Sequence, residues 1–363
     1  MPTARTLHRY LGWLIGIWLL LISLSGAALL FKNDLLRWQY PQLQDLALPS
    51  DISQWGPLLN QLQQQAEFRY VKYPDQDAPW LEAVTHSNQR HYYHASHTLL
   101  LTRTPRGDWI DWLYDFHLHL LGGKTGHTVL GVIGMICLVL LVAGIVQWWP
   151  KRFSRRLLAL PKPALNARTL RQWHSLLALS FAPLLLLTTV TGSLMVFNAE
   201  FRSTLSVFST ALQPAPQLKT AGYQPLATTN WTAALRQAQA QWPNAQLRLS
   251  SLRTAADQPM SFRARMAGEW HQNGRSVVQI DALSNQVIYA TPASAFGTTG
   301  AIANSLYPLH TAAIGGTIYF WALAISGLLP LLLLLTGLLY TWVTRPGSRT
   351  SAAASSLKPE SNS

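Results

Sequence analysis

Four histidines in matched pairs offer this chain its chemistry. His8 stands at the foot of an apolar stretch, LHRYLGWLIGIWLLLISLSGAALLF, and His174 at the foot of another, WHSLLALSFAPLLLLTTVTGSLMVF. His8, Gly26 and Phe31 correspond to His174, Gly192 and Phe197 at a constant offset of 166. Further on, Tyr114 and His117 correspond to Tyr307 and His310, Gly122-Gly123 to Gly315-Gly316, Gly144 to Gly337, and Trp149 to Trp342, all at an offset of 193. Neutral imidazole is a common axial ligand of heme iron, and two matched pairs suit two bis-imidazole hemes. A lone histidine at a helix end would be read instead as snorkelling or bonding to backbone. The recurrence of the pairs favours heme.

Spacing supports the heme reading. Gly12 follows His8 by four residues and Ala178 follows His174 by four, so each helix face leaves room for a flat macrocycle. Gly26 and Gly192 lie 18 residues beyond their histidines, five full turns at about 100° per residue. They would flank a second heme near the outer surface. Arg5, Arg9 and Arg171 suit propionates on the inner side, and Arg103 or Arg106 on the outer side. For the outer ligand, His117 ranks before His127, and His127 before His119. His86, His91, His94 and His97 cluster farther up the chain; read as a strand, His91 and His97 share a face that His94 does not, which argues against a three-histidine metal site. Trp109, Trp112 and Tyr114 fit an interfacial belt or a substrate surface.

Other chemistries are excluded. The single cysteine, Cys137, rules out an intrachain disulfide, a cysteine-held iron–sulfur cluster and a zinc–thiolate cage. GGKTGHT, Gly122 to Thr128, contains Gly-Lys-Thr, but Leu118 stands where a phosphate-binding loop needs its first glycine. There is no G-x-G-x-x-G dinucleotide signature either.

The elements that must position the histidines are membrane helices. No Asp, Glu, Lys or Arg occurs between Arg9 and Lys32, Lys124 and Lys151, Arg171 and Glu200, or Asp281 and Arg345. Each gap holds the roughly 20 apolar residues that cross a bilayer. The first run is longer than a signal-peptide core and is read as retained. The expected fold is a membrane all-α four-helix core of two tandem two-helix repeats, with periplasmic α+β domains. Expected boundaries are 6–31 for the first helix, 113–150 for the second with its extension, 172–197 for the third, and 306–344 for the fourth with its extension. The exported segments are 32–112 and 198–305, a basic cytoplasmic loop covers 151–171, and a disordered cytoplasmic tail covers 346–363. Basic residues beside the helices, including Arg9, Lys151, Arg152, Arg171 and Arg345, place both termini in the cytoplasm. The net charge of +13 is explained by that clustering rather than by nucleic acid. In the exported segments, helices are expected near 58–66 and 231–242. Strands are expected at 80–84, 91–102, 246–253, 261–266, 276–280 and 286–289.

LHRYLG followed by Ser-Gly, FHLHLLGGKTG, WHSLLAL with Thr-Gly, and LHTAAIGG with Thr-Gly resemble the PepSY-associated transmembrane family up to about Arg345. Residues 223–291 look like a PepSY module and 54–103 like a degenerate one. The resemblance implies an iron-regulated bacterial inner-membrane protein, with two b-type hemes and ferric-siderophore reductase activity in some members. It marks His8, His174, His117 and His310 as the heme ligands, and His127 keeps the outer assignment open. The implied partners are a ferric siderophore, membrane lipid, and a donor that is a cytoplasmic flavoprotein or a quinol. The alternative is a non-enzymatic PepSY-bearing regulator or an accessory subunit of an iron-uptake system.

Overall fold

The computed structural model describes residues 2–149, 160–161, 164–208 and 225–345. The predicted loop cations Lys151, Arg152, Arg155, Arg156 and Lys162, the tail from 346, and Tyr223 at the start of the expected module lie outside the described residues. Among the described residues, four apolar helical segments are long enough to cross a membrane: Thr6–Leu29, Gly123–Trp148, Ala167–Val196 and Gly316–Val343. The chain divides into two compact units.

The first unit comprises residues 1–28, 129–193 and 317–363. It is built on α1 (Pro2–Leu29), most of α5 (Gly123–Trp148) and α6 (Ala167–Val196), α10 (Gly316–Ser326) and α11 (Leu329–Val343). Small residues let these helices approach closely, as is usual where lipid removes the hydrophobic drive to associate. A Cβ on Gly327 would stand 2.5 Å from the Ala27 Cβ and 2.9 Å from the Ser23 carbonyl oxygen.

The second unit comprises residues 29–128 and 194–316. It begins with α2 (Lys32–Gln39) and α3 (Gly56–Gln64), followed by strands β1 (Phe68–Lys72), β2 (Leu81–Thr85), β3 (Arg90–Tyr93) and β4 (Leu99–Arg103), and then α4 (Trp109–His119). Its later part holds α7 (Asn198–Ser206), α8 (Trp231–Gln241), β5 (Gln246–Ser251), β6 (Met260–Arg265), β7 (Ser276–Ile280), β8 (Val287–Thr291) and α9 (Gly297–His310). Segments 32–112 and 198–305 were expected as separate modules, but they share one antiparallel sheet in the order β4-β3-β2-β1-β5-β6-β7-β8. The join is β1 against β5, with Val71 opposite Ser250. β1 was not anticipated, and the predicted strand 91–102 is two strands separated by a turn.

Alternation along each strand assigns the faces of the sheet. Val71, Leu81, Ala83, Phe262, Ala264, Val278 and Ile280 pack under α3 and α8, with Trp55, Leu59, Trp231 and Leu235, in one core. Asn230 caps α8 by accepting from the Ala233 amide. Leu36, Leu43, Trp80, Tyr92 and Ile110 form a second, smaller core that holds α2 and α4.

Candidate paired-histidine sites

Within the helical unit, α1 carries His8 and α6 carries His174, with ring centroids 6.2 Å apart and planes at 84°. Each imidazole is held through Nδ1. His8 Nδ1 lies 3.2 Å from the Leu140 carbonyl oxygen of α5. His174 Nδ1 lies 3.0 Å from the Thr336 hydroxyl of α11, which itself donates to the Leu332 carbonyl at 2.8 Å. Both Nδ1 atoms are thus donors, and in a neutral ring that leaves Nε2 with the lone pair. The matched glycines stand beside the matched histidines. A Cβ on Gly144 would lie 3.0 Å from His8 Cε1, and one on Gly337 would lie 3.7 Å from His174 Cε1.

Within the sheet-bearing unit, His117 of α4 faces His310 of α9, with centroids 6.3 Å apart and planes at 43°. Asp108 caps α4 by accepting from the Asp111 amide, and Leu120 ends it in a left-handed conformation at φ 48°. After His310, Ala312 at φ 51° and Gly315 at φ 81° turn the chain in the corresponding place. Both histidine-bearing helices therefore stop within a few residues of their histidine. His119 pairs with His127 at 5.4 Å between centroids, His119 bonding to Asp115 and His127 to the Leu118 carbonyl. His117, ranked first, is the residue placed opposite His310.

The separations can be compared with what an iron held by two imidazoles would require. With a metal–imidazole bond of about 2 Å, as at zinc, and the ring centroid roughly 1 Å behind its nitrogen, two trans imidazoles stand about 6 Å apart between centroids. Both pairs lie near that separation. Among the described residues, no group of three or more His, Cys, Asp or Glu is gathered to hold a bare metal ion. The predicted strand through His91–His97 is corrected: β3 ends at Tyr93, and His97 sits in a turn at φ 67°.

The arginines have protein partners of their own. Arg103 is buried and donates twice to Asp108, at 2.6 and 2.8 Å, and once to the Tyr92 hydroxyl. Arg106 donates to Asp115 and the Leu121 carbonyl. Arg103 is thus engaged by the Asp108 that caps α4, and Arg106 by Asp115 on the same helix. Arg9 and Arg171 are exposed, Gly26 and Gly192 are half-buried in α1 and α6, and the Arg5 side chain lies outside the described residues.

His117 and His310 each have a tyrosine one turn before them. Tyr114 lies under two cations, Lys32 at 4.8 Å and Arg90 at 5.1 Å from its centroid. Carboxylates answer most of this charge: Glu82 reaches Lys72 at 3.2 Å and Arg90 at 3.4 Å, and Asp111 reaches Arg90 at 2.7 Å. Burial pushes Glu82 up, but Lys72, Lys32 and Arg90 overcome it and hold the carboxyl at about 2. Burial and the neighbouring Arg90 pull Lys32 down to about 7. Tyr307 instead stacks on His271, with centroids 5.0 Å apart and planes at 26°. Burial, then Arg275, Arg263 and Arg265, depress His271 to about 3, so the ring is neutral. Burial, Arg263 and Arg202 lower Arg275 to about 10.

Residues 5–345 match the family model described as the PepSY-associated TM region. No curated protein matches the chain.

Proposed function

The chain belongs to the family of the PepSY-associated TM region, and on that premise we propose that it is a membrane electron conduit with two b-type hemes. Its substrate is Fe(III) held by a siderophore in the periplasm, which takes one electron and leaves as Fe(II). The membrane is the bacterial inner membrane, both termini are cytoplasmic, and the helices form two tandem repeats. The electron donor is a cytoplasmic flavoprotein or a membrane quinol. The observation that carries this reading is the pair of imidazole separations, 6.2 Å for His8–His174 and 6.3 Å for His117–His310.

When bound, each heme supplies a one-electron Fe(III)/Fe(II) couple. The chain's own residues orient and select it. Leu140 and Thr336 hold the Nδ1 protons of His8 and His174, which fixes the tautomer and ring direction. Gly144 and Gly337 leave the rings uncrowded. Trp109 and Trp112 are exposed on α4, beside the outer pair in sequence, and offer stacking surface to a bulky chelate.

The first test is the absorption spectrum of the purified full chain. A Soret band with reduced-minus-oxidised b-type α-bands, at two hemes per chain, is expected; a colourless, fully folded preparation overturns the reading and favours the regulator or accessory-subunit alternative. Sealed vesicles of known orientation, with reductant inside and a ferric siderophore plus an impermeant Fe(II) chelator outside, test direction. Colour should develop outside and fall sharply in His117→Ala or His310→Ala.

A further inference from the structure

Arg202, Arg263 and Arg275 come from three elements and converge on the Tyr307 side of the sheet-bearing unit. β6 alternates, burying Phe262 and Ala264 under the helices and turning Arg263 and Arg265 to the opposite face. Arg263 pairs in register with Val277, two residues after Arg275, so Arg263 and Arg275 share that face. Arg202 arrives from α7, which packs beside α9. Arg202 and Arg263 both depress Arg275, which places three cations within electrostatic reach of one another.

Their charge is poorly answered. Among the described residues, no carboxylate within ion-pair distance meets the side chain of Arg202, Arg263 or Arg275. Glu269 is the acid that opposes Arg275, but its oxygens accept from the Arg275 backbone amide and from the Ser276 hydroxyl. Arg202 Nε donates to Asn198, leaving a buried Nη1 without a partner. Arg275 Nη2 donates to His271 at 2.7 Å, leaving a buried Nε without one. Buried guanidinium donors without acceptors are costly, and several like charges together add to that cost. The corresponding tyrosine, Tyr114, shows the contrast: there Glu82 and Asp111 neutralise Lys72 and Arg90.

We propose that Arg202, Arg263 and Arg275, walled by the stacked Tyr307–His271 pair, form a carboxylate-binding site beside the His117–His310 pair. Guanidinium forks match carboxylate geometry bidentately, and the aromatic wall suits a flat organic acid. Tyr307 lies three residues before His310 on α9, so the two are neighbours on one helix face. The site has two candidate sources of carboxylate. One is a propionate of a heme on His117 and His310, and this arm rests on the function proposed above. The other is a free polycarboxylate chelate, and this arm stands without any heme.

The test uses the full chain in detergent, with heme content measured by pyridine hemochrome and citrate as the free carboxylate probe. Arg263→Gln with Arg275→Gln is compared with Arg263→Lys and wild type. If citrate binds wild type and the double glutamine variant weakens it at least tenfold, the free carboxylate is the ligand, with or without heme present. If citrate does not bind, but the double variant loses one heme per chain or shifts only one low-spin EPR signal, the propionate is the ligand. Arg263→Lys, which keeps the charge but loses the fork, should weaken either ligand less than the double glutamine variant does. Arg263→Gln should also raise the unfolding temperature of heme-free, citrate-free protein, because it relieves like-charge repulsion; an arginine serving only the fold would lower it. Unchanged citrate binding, heme content and EPR in the double variant overturn the proposal. Absence of heme from wild type would overturn the redox function while leaving the citrate arm to decide the site.

Discussion

An imidazole is a directed ligand only when its second nitrogen is engaged, and Thr336 and Leu140 supply that engagement. His8→Ala and His174→Ala should each remove the same heme, read as one heme lost per chain and one low-spin EPR signal gone; loss of different hemes would sink the pairing. Thr336→Val keeps the ligand but removes the acceptor for its Nδ1 proton. Its expected cost is about 10–100-fold in heme affinity, with His174 still ligating. Gly144→Leu should empty the His8–His174 site and spare the other, because even a Cβ there reaches within 3.0 Å of His8 Cε1. Gly337→Leu has 3.7 Å to spend and should do less. The histidines were legible because they repeat at fixed offsets. Gly144 and Gly337 were visible as a matched pair, but their role was not, since it depends on which helix meets which. Thr336 carried no signal: threonine in a membrane helix ordinarily bonds its own preceding turn, as this one also does.

At the level of elements, α4 owes its start to Asp108, which accepts from the Asp111 amide, the Tyr40 hydroxyl and Arg103. Burial alone would raise this carboxyl, but Arg103, the Asp111 amide and Tyr40 bring it down to about 2. A carboxylate whose pKa falls on folding stabilises the fold above its ordinary value near 3.8, and that contribution is lost as pH falls through about 2. Asp108→Ala should therefore remove part of the wild type's acid sensitivity, measured as a flatter dependence of unfolding temperature on pH between those two values. At neutral pH the same variant strands a buried Arg103 and should cost roughly 3–5 kcal/mol. The sequence made α8 legible as the expected helix 231–242, and β6 as the expected strand 261–266, whose apolar and polar residues alternate without a break. β1 was missed because FRYVK carries two cations in five residues. Lys72 belongs in the sheet only because Glu82 lies opposite it on β2, and a cross-strand partner cannot be read from local pattern.

For the whole molecule, the four apolar spans were plain from the absence of charge, and the β1–β5 join was not, because its partners stand about 180 residues apart. The arginine convergence was hidden for the same reason, being assembled from α7, β6 and the approach to β7. The proposed topology is open to a direct check, since the one native cysteine, Cys137, is buried. Leu283→Cys, at an exposed position of the sheet-bearing unit, should react with an impermeant maleimide in intact spheroplasts. Leu165→Cys, also exposed, should react only after permeabilisation; the reverse pattern would invert the assignment.

The pairing of β1 with β5 also constrains how the chain matures. On the proposed topology, when the segment carrying β1 is exported, β1 has β2 on one side and an open edge on the other, and it must keep that edge until β5 has been synthesised and exported. Two membrane helices, α5 and α6, are made in the interval. At about 5–20 residues per second, the roughly 180 intervening residues take on the order of 10–40 s to translate, far longer than a hairpin needs to form. For that time the nascent chain carries an unpaired strand, the kind of edge that templates aggregation. A ribosome stalled before residue 246 should therefore leave a species that is inserted, protease-sensitive outside, and dependent on a periplasmic holdase, whereas the completed chain should need none.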